Sequence, residues 1–447
     1  MLERRFNPLQ ATALNMTNML GAGPFITIPL LVAAMGGPQS MLGWAVALLI
    51  TLADGLVWAE LGAAFPQSGG TYSYLRAAFS PVISRLMAFL FIWQLVISGP
   101  MEIASALVGI QPYLGYIWPD LTARHTQLLS MGMALVILFL LYRRIDSIAR
   151  LTVALWVGVL ITILIIVAVG AVHFDPKLAF DFPQGWWRPD GGWGYWHGFL
   201  LGLGSAASVG IYDYLGYYDI CYIGDEVKRP GRTIPRAVLT SLVLVALIYI
   251  AIHLSFMGSL PWREFMNKEG YPIAAVFMEK WHGRGSAVLV TLLIVWTTYA
   301  GVFALMLGYS RIPFAAARDG GFFRSFAALH PTGAFPHISL LVIGLLAMGM
   351  SFFSLGTIIG ALLITRFIVQ FIGQIAALVW LRRHRPDLDR PFRMWMYPLP
   401  CLIAGAGWVF LIATSSSQSQ LYGAIALSVG VVAFFAWRAL GGRSAVG

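Results

Sequence analysis

Apolar residues fill most of this chain in stretches of about twenty, separated by short polar segments. At about 20 residues per bilayer crossing, the pattern predicts twelve spans, over 11–35, 40–64, 82–110, 126–142, 149–172, 196–222, 234–258, 285–312, 338–354, 358–381, 396–414 and 421–439. Two of them are interrupted. In the first, Gly21-Ala22-Gly23-Pro24 places two glycines and a proline at mid-span. Proline removes a backbone donor and glycine weakens a helix. A break at that depth frees backbone groups that lipid cannot satisfy, so protein, water or a polar ligand must bind them. Pro24 suits the first turn of a new helix, which leaves the amides of Gly21, Ala22 and Gly23 able to face an anion. A kinked helix with glycines for close packing is the plainer reading.

The second interruption lies in segment six. There Gly210-Ile211-Tyr212-Asp213-Tyr214-Leu215-Gly216-Tyr217-Tyr218-Asp219 sets two acids and a glycine pair near the membrane centre. Intramembrane acids are costly and mark function by default; the plainer alternative is an acid that caps the broken backbone. Segments one and six are five apart, the spacing of an inverted five-helix repeat whose copies each open with a broken helix.

Composition supports the membrane reading. The chain has 447 residues, 59% hydrophobic and only 11% charged, against about 25% charged in soluble proteins. No large soluble domain is visible, and no cleavable signal is expected before the first span. Cys221 and Cys401 imply neither a disulfide framework nor a metal set. The formal charge of +10 reflects loops and not nucleic acid. With the N-terminus inside, 21 of the 29 lysines and arginines fall in inner segments, 7 in outer loops, and Arg366 within a span. The positive-inside rule then places both termini in the cytoplasm of a cell-membrane protein. The expected organisation is a cytoplasmic N-terminus (1–10), a first repeat (11–172), a second repeat (196–381), two further helices (396–439) and a cytoplasmic tail (440–447). Trp186, Trp187, Trp193 and Trp196 form an interfacial aromatic belt before segment six.

Five stretches together resemble the amino acid–polyamine–organocation permeases: Gly21-Ala22-Gly23-Pro24-Phe25; Glu60-Leu61 with Phe65-Pro66-Gln67-Ser68-Gly69-Gly70-Thr71-Tyr72; Asp225-Glu226-Val227-Lys228-Arg229-Pro230 with Ile234-Pro235-Arg236; Ser310-Arg311 with Ala317-Arg318-Asp319-Gly320; and Arg385-Pro386-Asp387 with Arg390-Pro391-Phe392. The resemblance runs from about residue 10 to 400 with its motifs in family order. It implies an all-α fold of twelve helices in a five-plus-five inverted repeat of the leucine-transporter type, working by alternating access without a cofactor. Carried over, it implies that the amides of Gly21, Ala22 and Gly23 hold a substrate carboxylate. Carbonyls around Tyr212, Asp213 and Leu215 would take the ammonium, with Tyr212 as an aromatic lid and Gly216 as a further residue of the substrate site. Two departures stand out. Ala22 replaces a serine common in the family. Segment five has no lysine, and Val159 stands at the matching position. That leaves sodium, helped by Thr297 and Thr298, exchange, or a proton carried by another acid. A threonine in a span, however, more often bonds its own helix.

Among the remaining charges, Glu102 and Arg366 each lie roughly 12 Å deep, counting 1.5 Å per residue from the outer helix ends, which suggests a gate or a structural pair. Asp54 has no evident partner, and Asp219 is a coupling candidate. Asp225, Glu226, Arg229 and Arg236 read as a cytoplasmic latch or solvated loop, and His253 and Gln94 as satisfied bundle residues. Asp213 has three open fates: binding a substrate amine, carrying a proton, or capping the broken helix. The leading expectation is a secondary transporter of amino acids, as symporter or exchanger, with a polyamine or cationic amine carrier of the same fold as alternative. A membrane enzyme would need a catalytic cluster that the spans lack. A non-transporting amino acid sensor would need a signalling domain. The expected partners are a small-molecule substrate and the lipid bilayer; the oligomeric state stays open.

Overall fold

The computed structural model describes residues 6–67, 69–142, 148–266, 270–331 and 335–439, without the side chains of 148–156. Arg4, Arg5, Ser68, Arg143, Arg144, Lys268, Arg443 and the 440–447 tail lie outside the described residues. Among those described, the chain is helical throughout, with one isolated parallel bridge between Phe6 and Val227.

The first span is two helices, α1 (Pro8–Met19) and α2 (Gly23–Met35), bent by 55°. The Asn7 side chain and Gln10 cap each other's backbone amides at the start of α1. Pro24 stands in the first turn of α2, and Gly36, in the left-handed region at φ 73°, ends it. Then come α3 (Met41–Ala64), α4 (Thr71–Ala77), α5 (Pro81–Gly109), α6 (Gln111–Ile117), α7 (Ala123–Leu141), α8 (Ile148–Val172) and the short α9 (Pro176–Ala179). The second half opens with α10 (Trp193–Tyr214), followed by a break and a 3₁₀ stretch over Asp219–Glu226. It continues with α11 (Pro230–Met257), α12 (Ile273–Arg318, kinked at Gly283) and α13 (His337–Met350). α14 (Leu355–Arg366) passes through a π-helical turn (Phe367–Ile372) into α15 (Gly373–His384), before α16 (Leu399–Thr414) and α17 (Ser417–Ala439).

Each of the twelve predicted segments overlaps a helix. Among the described residues, seven helices are long and apolar enough to cross a bilayer, and the bent α1–α2 pair makes an eighth. Shorter apolar helices cover Val157–Val172, α13 and α16. Segment six, expected over 196–222, keeps helical form only to Tyr214, where the chain breaks.

α3 packs on α10 and α11, α1 on α11, and α2 on α10, so the two broken spans meet around α3 and α11. α5 packs on α12, α13 and α14 along the opposite wall. A second apolar cluster, including Ile103, Leu107, Ile137, Phe303, Met306 and Ile343, binds α5, α7, α12 and α13 together. The site lies between these two groups of helices.

Candidate substrate site

The first break is made of small residues. Leu20 closes α1, the Gly21 amide donates back to the Met19 carbonyl, and α2 starts at Gly23 with no side chain capping it. Among the described residues the N–H groups of Ala22 and Gly23 donate to no partner. At the other side of the break, the carbonyls of Thr17 and Asn18 accept no hydrogen bond among the described residues. A positive helix end and a negative helix end thus face one gap.

That gap opens into a cavity with about 70 Å³ of room for the centre of a water molecule. Gly21, Ala22, Gly23, Tyr212, Asp213, Leu215, Glu102, Thr297 and Thr298 all line it, as does Val159. The structure therefore brings most of the residues singled out from sequence to one place. Gly216, Asp219, Arg366 and Asp54 do not line it. Gly216 sits at φ 105°, a conformation that favours glycine, and a Cβ there would come within 2.9 Å of the Asn18 side chain.

The second break is built differently, because side chains occupy several of its polar groups, while the Gly216, Tyr217 and Tyr218 amides donate to no partner among the described residues. Asn15, fully buried on α1, donates to the Tyr217 carbonyl at 2.5 Å and accepts from the Ile220 amide at 2.9 Å. The Asn18 amide donates to Asp219 Oδ2. The Tyr249 hydroxyl, on α11, lies within hydrogen-bond reach of the carbonyls of Met19 and Asp213, the latter at 2.8 Å, so its one proton serves either of two half-helix ends. The Tyr212 carbonyl accepts from the Leu215 amide at 3.2 Å. Of the three carbonyls expected to take an ammonium, only that of Leu215 is left without a partner among the described residues.

Asp54, for which the sequence offered no partner, has two: Tyr217 Oη donates at 2.5 Å and Trp408 Nε1 at 3.3 Å. Both lie more than 150 residues away in sequence, beyond the reach of local patterning. Asp54 thus anchors the second break from α3.

Glu102 and Arg366 meet. Arg366 Nη2 lies 2.7 Å from Glu102 Oε2, and the Tyr309 hydroxyl joins them, donating to Glu102 at 2.6 Å and accepting from Arg366 at 3.0 Å. Ser98 takes the Arg366 Nε at 3.0 Å. Arg366 is 2% exposed, and its remaining Nη1 has no partner. The π-helical turn begins at the next residue, and a local widening of this kind often accompanies function. Tyr212, the expected lid, is tied to the same wall: its hydroxyl lies 2.7 Å from Ser105 Oγ, which itself donates to the Glu102 carbonyl.

Asp213 points at α2. Its Oδ2 lies 2.6 Å from the Thr27 hydroxyl, and its Oδ1 rests against Gly23 so closely that a Cβ on Gly23 would collide with it. A side chain at Gly23 therefore strikes Asp213 first, before it reaches a bound ligand. Asp213 is 3% exposed and Oδ1 has no hydrogen-bond partner. Thr297 and Thr298 donate to the Leu293 and Ile294 carbonyls of their own helix, both at 2.9 Å.

Elsewhere, Glu60 is fully buried and takes Arg382 through both oxygens, at 2.8 and 2.5 Å, and the Met394 amide at 2.8 Å. Phe6 pairs with the loop after the second break, through Glu226 O and Lys228 N. His253 Nδ1 accepts from Trp44 at 3.2 Å while its Nε2 has no partner, and Gln94 bonds Ser98 and Gln370. The two cysteines are free and buried.

A model of the amino acid permease family matches residues 6–435. The chain belongs to that family. It is a membrane transporter and not an enzyme. Among its relatives, the human cystine/glutamate transporter is 26% identical, over 93% of this chain and 80% of its own length. The branched-chain amino acid permease BcaP of Bacillus subtilis (strain 168) is 23% identical, over 92% and 90%. The mouse Asc-type amino acid transporter 1 is 26% identical, over 97% and 81%.

Sequence reasoning missed Asn15, Asn18, Thr27, Tyr249 and Tyr309 in this permease. A signal existed for some of them. Asn15 and Asn18 stand three apart in an apolar run, on one helical face, and Tyr249 interrupts an otherwise apolar segment seven.

Proposed function

We propose that this permease carries an amino acid across the cell membrane by alternating access, with the α-carboxylate held at the first break and the α-ammonium opposite it. One observation carries the reading: free N–H groups at Ala22 and Gly23 face free carbonyls at Thr17, Asn18 and Leu215 across one small cavity. A zwitterion fits such a pair of helix ends without any charged side chain. The names of the relatives, all amino acid carriers, support it. In this reading the twelve segments are all spans, 11–172 and 196–381 are inverted repeats, and both termini are cytoplasmic. The Glu102–Arg366–Tyr309 cluster serves as a gate between α5, α12 and α14, since Glu102 itself lines the cavity. Tyr212 covers the substrate from α10.

A cationic amine is the second reading, favoured by the Asp213 carboxylate on the cavity wall and by the lack of any lysine or arginine lining it among the described residues. Uptake into proteoliposomes over a panel of amino acids and amines separates the two. Uptake of amino acids, with amines inert, supports the first; amine uptake that amino acids do not inhibit overturns it.

A further inference from the structure

Asp213 stands where a substrate carboxylate is expected to dock. Its Oδ1 presses on Gly23 at the N-terminus of α2, beside the free amides of Ala22 and Gly23, and has no partner of its own. Two carboxylates at one half-helix end repel each other when both are charged. No lysine, arginine or histidine lines the cavity to offset them among the described residues. The ionisable groups that face Asp213 are Tyr212 and Tyr214 on its own helix and Tyr249 on α11; Glu102 lines the same cavity from α5 but is engaged with Arg366 and Tyr309.

Resting on the amino acid reading above, we propose that Asp213 is the proton carrier of this permease: it takes up one proton as the substrate carboxylate docks and releases it when the substrate leaves. The proton comes from the water on the side to which the cavity is open, converts the Asp213 carboxylate to a carboxylic acid, and passes to the water on the other side. No covalent bond to the substrate forms and no electron moves. In the protonated form Oδ1 becomes a donor, and an acid–carboxylate hydrogen bond replaces the repulsion. Thr27 accommodates both forms. Its single hydroxyl proton has two acceptors within reach, Asp213 Oδ2 at 2.6 Å and the Gly23 carbonyl at 2.9 Å. It donates to Oδ2 of the charged carboxylate, and with the acid proton on Oδ1 the Oδ2 atom remains an acceptor for it.

The test counts protons. The full-length permease, purified in detergent and weakly buffered, is mixed with radiolabelled L-leucine and, separately, L-alanine. Proton uptake is read from a pH indicator and bound amino acid by equilibrium dialysis. The expected result is one proton per amino acid for the wild type and none for Asp213→Asn, which keeps the shape and an acceptor for Thr27. Asp213→Glu, still an acid, retains the proton. A wild type that binds amino acid with no proton uptake overturns the proposal without any variant, and leaves the transport reading intact. One proton in both wild type and Asp213→Asn overturns it as well, because another group then carries the charge. Binding of neither amino acid overturns the proposal for these two substrates and leaves the wider amino acid reading to the uptake panel.

Discussion

The two breaks in this permease differ in how far side chains take part in them. Each interrupts a helix inside the membrane, and each must satisfy backbone groups that lipid cannot reach. At Leu215–Tyr218 side chains take up part of them: Asn15 bonds the backbone of Tyr217 and Ile220, Tyr249 reaches the Asp213 carbonyl, and Asp54 holds the Tyr217 side chain, while the Leu215 carbonyl and the Gly216, Tyr217 and Tyr218 amides keep no partner among the described residues. At Leu20–Gly23 the protein withholds side chains, and Ala22 and Gly23 keep free amides. The second break is the frame and the first is the vacancy. A binding site needs both, since free amides select a ligand only if the opposite wall holds still.

Breaking the buried Glu102–Arg366 pair beside the site has the largest expected effect. Neutralising Arg366 to Gln or Glu102 to Gln leaves a lone buried charge, which costs about 3–5 kcal/mol. Because the two groups touch, the double variant is expected to be less damaged than the sum of the singles. Detergent melting curves over the four proteins measure this, and additive losses would separate the pair. Asn15→Leu comes next. It strips partners from the Tyr217 carbonyl and the Ile220 amide, at about 1–3 kcal/mol per buried group left unsatisfied, and the same melts check it. Gly23→Ala follows, at about 1–3 kcal/mol for overpacking against Asp213, together with loss of uptake. Gly21→Ala is the smallest. A Cβ at Gly21 meets no atom within 4 Å, so melting is expected to stay within about 0.5 kcal/mol of wild type. Equal destabilisation by the two alanines would erase the asymmetry within the first break.

Much of the vacancy was legible along the chain, because it is written in local chemistry. Gly-Ala-Gly-Pro in an apolar run announces a broken helix without any knowledge of neighbours, and the boundaries of α2 follow from Pro24 and Gly36. The frame was not legible, since it is made of contacts between distant residues: Asn15 with Tyr217, Asp54 with Trp408, Tyr249 with Met19. Glu102 and Arg366 were an intermediate case. Depth counted along each helix brought them level, but Tyr309, the hydroxyl that joins them, lies on a third helix and left no mark in that count. Asp213 was recognised as important from its place in segment six, while its aim at α2 depends on the angle between two helices that no sequence period records.

The central claim is that the amides of the first break recognise a carboxylate. Inhibition of uptake by L-leucine, set against isopentylamine (leucine without its carboxylate), tests it most directly. The account predicts that leucine inhibits at least about 100-fold more strongly, the discrimination expected when buried polar groups are left unpaired. Equal inhibition by the amine would contradict it.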